Sequence, residues 1–200
     1  MQYVIRTVAW CPQRRANVNT LKSQLPEAKV ITDHKRDGYA TFFAACRAIN
    51  QHGGVLLEDD VQLCRDFDRR VQAVVVEKGR HQIINFFERP KTPLKTALVG
   101  GSNFLWMQCV YLPPGFPEKC IHHYDEFRRH RPEKWRGMAT DRLIGFALTK
   151  ERLKYWRIRP TLVQHLPLPS VIGPRAKNRQ THWFIDDLEI IDDRIAAESL

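Results

Sequence analysis

The first 88 residues alternate between segments that favour β-strands and segments that favour helices. Runs rich in β-branched and aromatic residues predict strands over residues 3–10, 29–32, 54–57 and 81–87. Apolar side chains at helical spacing, ending at proline or glycine, predict helices over residues 17–25, 39–51 and 65–78. This order predicts an α/β fold, with a mostly parallel central sheet and helices on both faces. Ligands of such sheets bind beyond the carboxyl ends of the strands.

The second half of the chain carries fewer regular signals. It predicts a strand-like run over residues 103–112, a strand near residues 159–164, and helices over residues 118–131 and 140–156. Thr140 is the expected N-cap of the last helix, and Asn17 or Asn19 that of the first. We therefore expect one domain over residues 1–185, with halves divided near residue 88, followed by an acidic tail over residues 186–200.

Composition limits the class of protein. An apolar fraction of 43% is enough for a packed core and argues against global disorder. The chain has no apolar run near the roughly 18 residues of a membrane span, and its N-terminus lacks the pattern of a signal peptide. We therefore expect no transmembrane segment and a cytoplasmic location, in the host cell if the protein is viral. The five cysteines show no metal-binding spacing and are expected to be buried thiols.

The charge of the chain is strongly positive. Its 32 basic and 22 acidic residues give a net charge of +10, concentrated at residues 128–136 and 174–179. Such a balance favours an anionic partner, namely nucleic acid, an acidic membrane surface or a phosphorylated small molecule. A solvated basic face with no partner would give the same pattern.

Three consecutive carboxylates follow the third predicted strand. Glu58, Asp59 and Asp60 come directly after a buried apolar run. Like charges at this distance repel, and a divalent cation with a preference for oxygen ligands, Mg²⁺ or Mn²⁺, would relieve the repulsion. An acidic turn without a ligand is the simpler alternative.

The residues around these carboxylates resemble a known metal-binding motif. Residues 55–61 read Val-Leu-Leu-Glu-Asp-Asp-Val, and residues 64–67 read Cys-Arg-Asp-Phe. The pattern resembles that of GT-A-fold glycosyltransferases, in particular N-acetylglucosaminyltransferases with a Glu-Asp-Asp motif and bacterial lipooligosaccharide transferases with Leu-Glu-Asp-Asp. The resemblance implies a GT-A-like, Rossmann-type domain that uses a nucleotide-sugar donor, with a UDP-sugar favoured, and Mn²⁺ or Mg²⁺. Residues 1–88 would bind the donor, and residues 89–185 would supply the acceptor site and a closing loop.

The same resemblance implies roles for individual residues. Asp60 would be the direct metal ligand, Glu58 and Asp59 would contact the donor, and Asp33 would lie near the nucleoside. His165, before a serine-containing loop, resembles the second metal ligand of these enzymes, although a histidine without a ligand is an alternative.

Further candidate residues lie in the second half. Asp141 resembles the base that deprotonates the acceptor hydroxyl in inverting members, although an aspartate also stabilises a helix N-terminus. Arg175 and Lys177 could neutralise the leaving diphosphate or be part of a solvated loop. Gly101 and Ser102 could let the backbone approach the donor sugar or form a simple turn.

The acceptor is suggested by charge and size. Six residues form a candidate phosphate-contacting face with a stacking aromatic: Arg128, Arg129, Arg131, Lys134, Trp135 and Arg136. A compact, basic transferase resembles the bacteriophage enzymes that glycosylate modified bases in DNA, so we expect DNA as the acceptor. Lipopolysaccharide or another cell-surface glycan is an alternative acceptor. A metal-dependent nuclease and a non-catalytic nucleic-acid-binding protein are alternatives of other classes.

Overall fold

Two successive β-α units begin the fold. The computed structural model describes residues 1–88, 95–130, 140–169, 180–181 and 183–187. Strand β1 (Tyr3–Val8) leads through α1 (Pro12–Gln24) to β2 (Lys29–Asp33), and α2 (Gly38–Ile49) then leads to β3 (Gly54–Glu58). Strands β2 and β3 lie on opposite sides of β1, and both are parallel to it.

The remaining elements follow in chain order. They are β4 (Val61–Leu63), α3 (Phe67–Lys78), β5 (Ile83–Asn85), β6 (Ala97–Gly100), a 3₁₀ turn (Gly101–Asn103), β7 (Cys109–Leu112), α4 (Phe116–His122), α5 (Tyr124–Arg129), α6 (Thr140–Lys150), β8 (Lys154–Arg157) and β9 (Val163–His165). The strand and helix boundaries predicted from the sequence agree most closely with the structure in the first half of the chain.

Within the described residues, seven strands form the main sheet in the order β2-β1-β3-β7-β5-β8-β6. Five of them run in one direction, whereas β7 and β6 run the opposite way. Strands β4 and β9 form a separate antiparallel pair. The prediction of an α/β fold with a mostly parallel central sheet is therefore confirmed.

Helices cover both faces of the sheet. Helices α1 and α3 share one apolar core with Ile5 and Leu57, whereas α2, α4 and α6 share the other with Val4 and Leu56. Neighbouring residues of β1 and β3 therefore point to opposite cores, as the pleat of a strand requires. The chain leaves β1 towards β2 over one face and returns to β3 over the other, so the carboxyl ends of β1 and β3 are the topological switch point, the position of the ligand-binding crevice in α/β sheets.

Two predicted helix boundaries were wrong. Helix α1 begins at Pro12, with Cys11 as N-cap, because proline suits the first helical position; neither Asn17 nor Asn19 caps it. The predicted helix over residues 140–156 ends at Lys150. Residues 154–157 form β8 instead, because pairing with β5 and β6 outweighs local helical spacing.

Other predicted elements are shorter or divided. The helix expected over residues 118–131 is two helices that meet at His123. The strand expected over residues 103–112 begins at Cys109, and the one expected near residues 159–164 is β9. Strands β4 and β6 were not predicted, because strands of three or four residues are too short to show a period.

The cysteine prediction is confirmed: all five cysteines are buried free thiols. Among the described residues, no helix combines the length and the apolar character needed to cross a membrane.

Candidate functional site

The candidate site lies at the carboxyl ends of β1 and β3. Arg6 of β1 stands in register with Glu58, the last residue of β3. Asp59 and Asp60 form the turn between β3 and β4. The side-chain amide of Asn17 donates to the backbone carbonyls of Asp59, at 2.8 Å, and Val61, at 2.9 Å. Helix α1 therefore fixes the turn that carries two of the three predicted carboxylates.

Glu58 is the carboxylate nearest to solvent, with 24% of its side chain exposed. Arg6 Nη1 donates to Glu58 Oε1 at 2.9 Å, and Arg6 Nη2 donates to the carbonyl of Gly38 at 2.9 Å. Burial raises the pKa of Glu58 to about 7. The positive charge of Arg6 offsets only part of this rise, and the negative charges of Asp60 and Asp59 add to it.

Asp59 and Asp60 are buried and share one guanidinium group, that of Arg14. Arg14 Nη1 contacts Asp59 Oδ1, and Nη2 donates to Asp60 Oδ2 at 2.7 Å. Thr7 donates its hydroxyl hydrogen to Asp59 Oδ2 at 2.7 Å. Burial raises the pKa of Asp59, although Arg14 and Thr7 oppose the rise. Two buried acids are thus held by hydrogen bonds from two different elements.

Arg14 was not among the site residues predicted from the sequence. The signal was present, because Arg14, Val18 and Leu21 lie at helical spacing and are the buried residues of α1. An arginine on the apolar face of a helix indicates a buried ion pair, and the three consecutive acids after β3 are candidates for its partners.

Strand pairing brings His165 to Asp60. His165 of β9 stands opposite Val61 of β4, and Leu166 donates its backbone N–H to the carbonyl of Asp60 at 2.8 Å. His165 Nε2 lies 3.3 Å from Asp60 Oδ2, which is an ion-pair distance, but the two atoms do not meet the geometry of a hydrogen bond. Burial would raise the pKa of Asp60, but His165 and Arg14 outweigh it and lower the pKa below its usual value.

The donor atoms of Asp60 and His165 suit Mn²⁺ or Mg²⁺. Within the described residues, Asp60 Oδ1 and His165 Nδ1 are buried without a hydrogen-bond partner. A carboxylate oxygen and an imidazole nitrogen are both ligands that Mn²⁺ accepts. No cluster of three or more His, Cys, Asp or Glu side chains suited to a metal occurs in the part of the chain that the structure describes. Asp60 and His165 would supply two ligands, and water and phosphate oxygens would complete the shell.

The start of α6 lies beside the Glu58 end of the crevice. Arg6 Nη1, which binds Glu58, also lies 3.4 Å from Thr140 Oγ1. Asp141 Oδ2 accepts from the backbone N–H of Trp106 at 3.4 Å, and Oδ1 accepts from that of Arg142 at 2.8 Å. The structure therefore brings Asp141 to the same edge of the sheet as the carboxylates.

The segment before β7 lies at this edge, and it too was not predicted as part of the site. The backbone carbonyl of Gln108 accepts the backbone N–H of Glu58 at 3.0 Å. The side-chain carbonyl of Gln108 is buried without a hydrogen-bond partner among the described residues. Trp106 has a positive φ of 70°, a backbone conformation that is costly for an aromatic residue and that clusters at functional sites.

Asp33 lies at the carboxyl end of β2, next to Val8 of β1. Its Oδ1 accepts the backbone N–H groups of Lys35 at 2.9 Å and Asp37 at 3.1 Å, so the carboxylate shapes the turn before α2. Its predicted contact with the nucleoside stays a prediction.

Gly101 packs against the C-terminal half of α6. A Cβ atom at this position would lie 2.4 Å from Leu148 Cβ and 2.9 Å from the backbone nitrogen of Thr149. Close packing therefore accounts for this glycine without a donor. The donor contacts predicted for Gly101 and for the exposed Ser102 stay predictions.

The predicted basic residues fall partly in the described chain. Arg128 and Arg129 are exposed at the end of α5, and the Arg128 guanidinium lies 5.6 Å from the centre of the Tyr124 ring. The others lie outside the described residues: Arg131, Lys134, Trp135, Arg136, Arg175 and Lys177.

Comparison with known proteins gives little beyond these observations. No family model and no curated protein matches the chain. The crystal structure of A197 from STIV aligns with a TM-score of 0.49 and 9% identity, over 83% of this chain and 86% of that one. At this level the similarity carries no conclusion about activity.

Proposed function

We propose that this protein is a metal-dependent glycosyltransferase of the GT-A type, which transfers a sugar from a nucleotide-sugar donor, with a UDP-sugar favoured. The strongest support is that the buried side chain of Asp60 lies beside that of His165 at the crevice between β1 and β3. This crevice is where α/β sheets bind nucleotides, and Asp60 Oδ1 is left without a hydrogen-bond partner among the described residues.

In this proposal Asp60 and His165 hold Mn²⁺ or Mg²⁺. The bound ion would neutralise the negative charge that develops on the departing diphosphate. Glu58 and Asp59 flank the ligand pair, and the partly exposed Glu58 is the one placed to accept hydrogen bonds from donor hydroxyls. Arg6 holds Glu58 in position for that contact.

Asp141 is the proposed general base. Its carboxylate is oriented by the N–H groups of Trp106 and Arg142, at the same end of the sheet as Glu58. A carboxylate fixed in this way can accept the proton of an acceptor hydroxyl as the new glycosidic bond forms. Removal of that proton accompanies attack on the anomeric carbon, while the bond to the diphosphate breaks.

The proposal is tested by the melting temperature in the presence of Mn²⁺ and a panel of UDP- and GDP-sugars. We expect one donor to raise the melting temperature in an Mn²⁺-dependent manner. Asp60→Asn should abolish both this rise and sugar transfer. Asp66→Asn is the matched control, because Asp66 is exposed and loses the same charge. A wild-type response to donor and Mn²⁺ in the Asp60→Asn variant would contradict the site assignment.

For the acceptor, we propose a hydroxylated or hydroxymethylated base in DNA. Along α5, His123 binds Glu151 beyond the end of α6, whereas the ring of His130 lies 6.5 Å from that of Phe146. Helix α5 therefore runs antiparallel to α6, and exposed Arg128 and Arg129 lie at its C-terminal end, beside Phe146 of α6. Phosphate contacts there would hold DNA near the reacting groups.

Mass spectrometry distinguishes the acceptors. Incubation with donor, Mn²⁺ and hydroxymethylated DNA should add the mass of one sugar per modified base, whereas unmodified DNA should remain unchanged. Addition to lipopolysaccharide instead would replace DNA as the acceptor. Cleavage of DNA with Mg²⁺ and no donor would identify a nuclease and overturn the transferase proposal.

A further inference from the structure

Arg14 already provides a cation for the carboxylates that are proposed to hold a metal. Its side chain is buried, and each of its three nitrogens has a partner. Nη1 contacts Asp59 Oδ1, Nη2 donates to Asp60 Oδ2 at 2.7 Å, and Nε donates to the carbonyl of Pro169 at 3.1 Å. Pro169 follows β9 by four residues, so Arg14 joins the carboxylate turn to the segment that carries His165.

The contact with Asp60 places Arg14 in competition with a metal. Asp60 Oδ2 accepts from Arg14 Nη2, and the same oxygen lies 3.3 Å from His165 Nε2. A divalent cation bound between Asp60 and His165 would approach the oxygen that Arg14 occupies. Two cations on one carboxylate oxygen repel each other, so Nη2 and the ion cannot both keep their best distance.

The formal charges also favour an exchange. Asp59 and Asp60 carry two negative charges against the single positive charge of Arg14, so the group has a net charge of −1. A divalent cation changes the net charge of the group to +1. A diphosphate with two negative charges then returns it to −1. The guanidinium is a planar, bidentate donor that suits phosphate oxygens as well as carboxylates.

We propose that Arg14 is the exchangeable counter-ion of this site. Mn²⁺ or Mg²⁺ displaces Arg14 Nη2 from Asp60, and the freed N–H groups then bind the donor diphosphate, while Asp59 and the Pro169 carbonyl retain Nη1 and Nε. The first half concerns the metal alone, whereas the second half rests on the glycosyltransferase function proposed above. Arg14 is thus both a competitor of the metal and a donor-binding residue.

The test compares the affinity for Mn²⁺ alone with the rate of sugar transfer. Free Mn²⁺ is measured by electron paramagnetic resonance during titration of the wild type and of Arg14→Gln. We expect the Kd for Mn²⁺ to fall about tenfold, because a charge-assisted hydrogen bond no longer competes. Transfer by the same variant should become slower at saturating Mn²⁺ and donor. Tighter metal binding with slower transfer is a combination that a merely structural role would not produce.

Arg15→Gln is the matched control. Arg15 is the next residue of α1, is exposed, and loses the same charge without touching the carboxylates. Its Kd for Mn²⁺ should equal that of the wild type. An Arg14→Gln variant with unchanged or weaker Mn²⁺ affinity would overturn the exchange.

A second variant covers the case in which Arg14→Gln does not fold. Folding that is restored by Mn²⁺ supports the exchange, since the ion then replaces the guanidinium. If folding is not restored, Arg14→Lys decides, because a point charge cannot bridge both carboxylates as Arg14 does. The Kd of Arg14→Lys for Mn²⁺ should be lower than that of the wild type. An equal or higher Kd would overturn the exchange.

The two proposals fail in different ways. Tighter Mn²⁺ binding by Arg14→Gln, with no transfer from any donor by the wild type, would support the exchange and contradict the glycosyltransferase. No Mn²⁺ binding by any variant would contradict both.

Discussion

Glu58, Asp59 and Asp60 are consecutive, yet their carboxylates have different partners. Glu58 binds Arg6, Asp59 binds Arg14 and Thr7, and Asp60 binds Arg14 beside His165. Because Asp59 and Asp60 are buried, each lost hydrogen bond leaves a charge without compensation. The order of this site therefore depends in part on Arg6 and Thr7, which take no direct part in the proposed chemistry.

Thr7 offers a direct measure of that dependence. We expect Thr7→Val, which keeps the shape of the side chain, to lower the free energy of unfolding by about 1.5–3 kcal/mol, because a buried carboxylate loses a hydrogen-bond donor. Urea denaturation measures the change. Thr32→Val is the control, since Thr32 stands beside Thr7 on β2 and, among the described residues, its hydroxyl has no hydrogen bond to the carboxylates. Equal effects of the two variants would show that the bond to Asp59 contributes little.

At the scale of elements, α6 is held close to the 3₁₀ turn by glycine. We expect Gly101→Ala to lower the free energy of unfolding by about 1–3 kcal/mol, because its Cβ would overlap Leu148 and the backbone of α6. Gly100→Ala is the matched control, because a Cβ there meets no atom within 4 Å. Urea denaturation again measures both changes. A neutral Gly101→Ala would mean that α6 can shift, and with it Asp141.

The elements of the first half could be predicted from the sequence, whereas part of the second half could not. Residues 39–51 and 54–57 carry clear helical or strand patterns, and α2 and β3 lie where these patterns place them. Residues 154–157 were predicted as the end of the preceding helix, but they form β8 because β5 and β6 are available to pair with it. Pairing over such distances is not encoded in any local period.

The candidate site, like the fold, could be predicted from the sequence only in part. Asp60 and His165 could be selected by residue type and by resemblance, and the structure brings them together. Arg6, Arg14 and Trp106 were missed, because an arginine or tryptophan reveals its function by what surrounds it in space. A list of chemically reactive residues therefore anticipates ligands better than it anticipates the side chains that hold them.

At the scale of the whole molecule, the net charge of +10 predicts binding of DNA that weakens with salt. We expect the logarithm of the affinity for duplex DNA to fall linearly with the logarithm of the salt concentration. Changing Arg128 and Arg129 together to glutamine should reduce the slope by about two, one for each lost phosphate contact. Fluorescence anisotropy at several salt concentrations measures the slope.

Arg47→Gln is the control for this measurement. Arg47 is exposed near the C-terminal end of α2, where the chain approaches the amino end of β3, whereas the carboxylates follow the carboxyl end of that strand. Its removal should leave the salt slope close to that of the wild type. A slope that falls equally for Arg47→Gln and for a single Arg128→Gln change would contradict a localised DNA-binding face.

The pairing of β4 with β9 joins Asp60 and His165, which stand about a hundred residues apart in the chain. Closing so large a loop costs entropy that is recovered once the intervening elements are in place. A nascent or half-folded chain thus presents its acidic turn without the histidine. The proposed metal would therefore bind the folded molecule and stabilise it by mass action, and it would not trap folding intermediates.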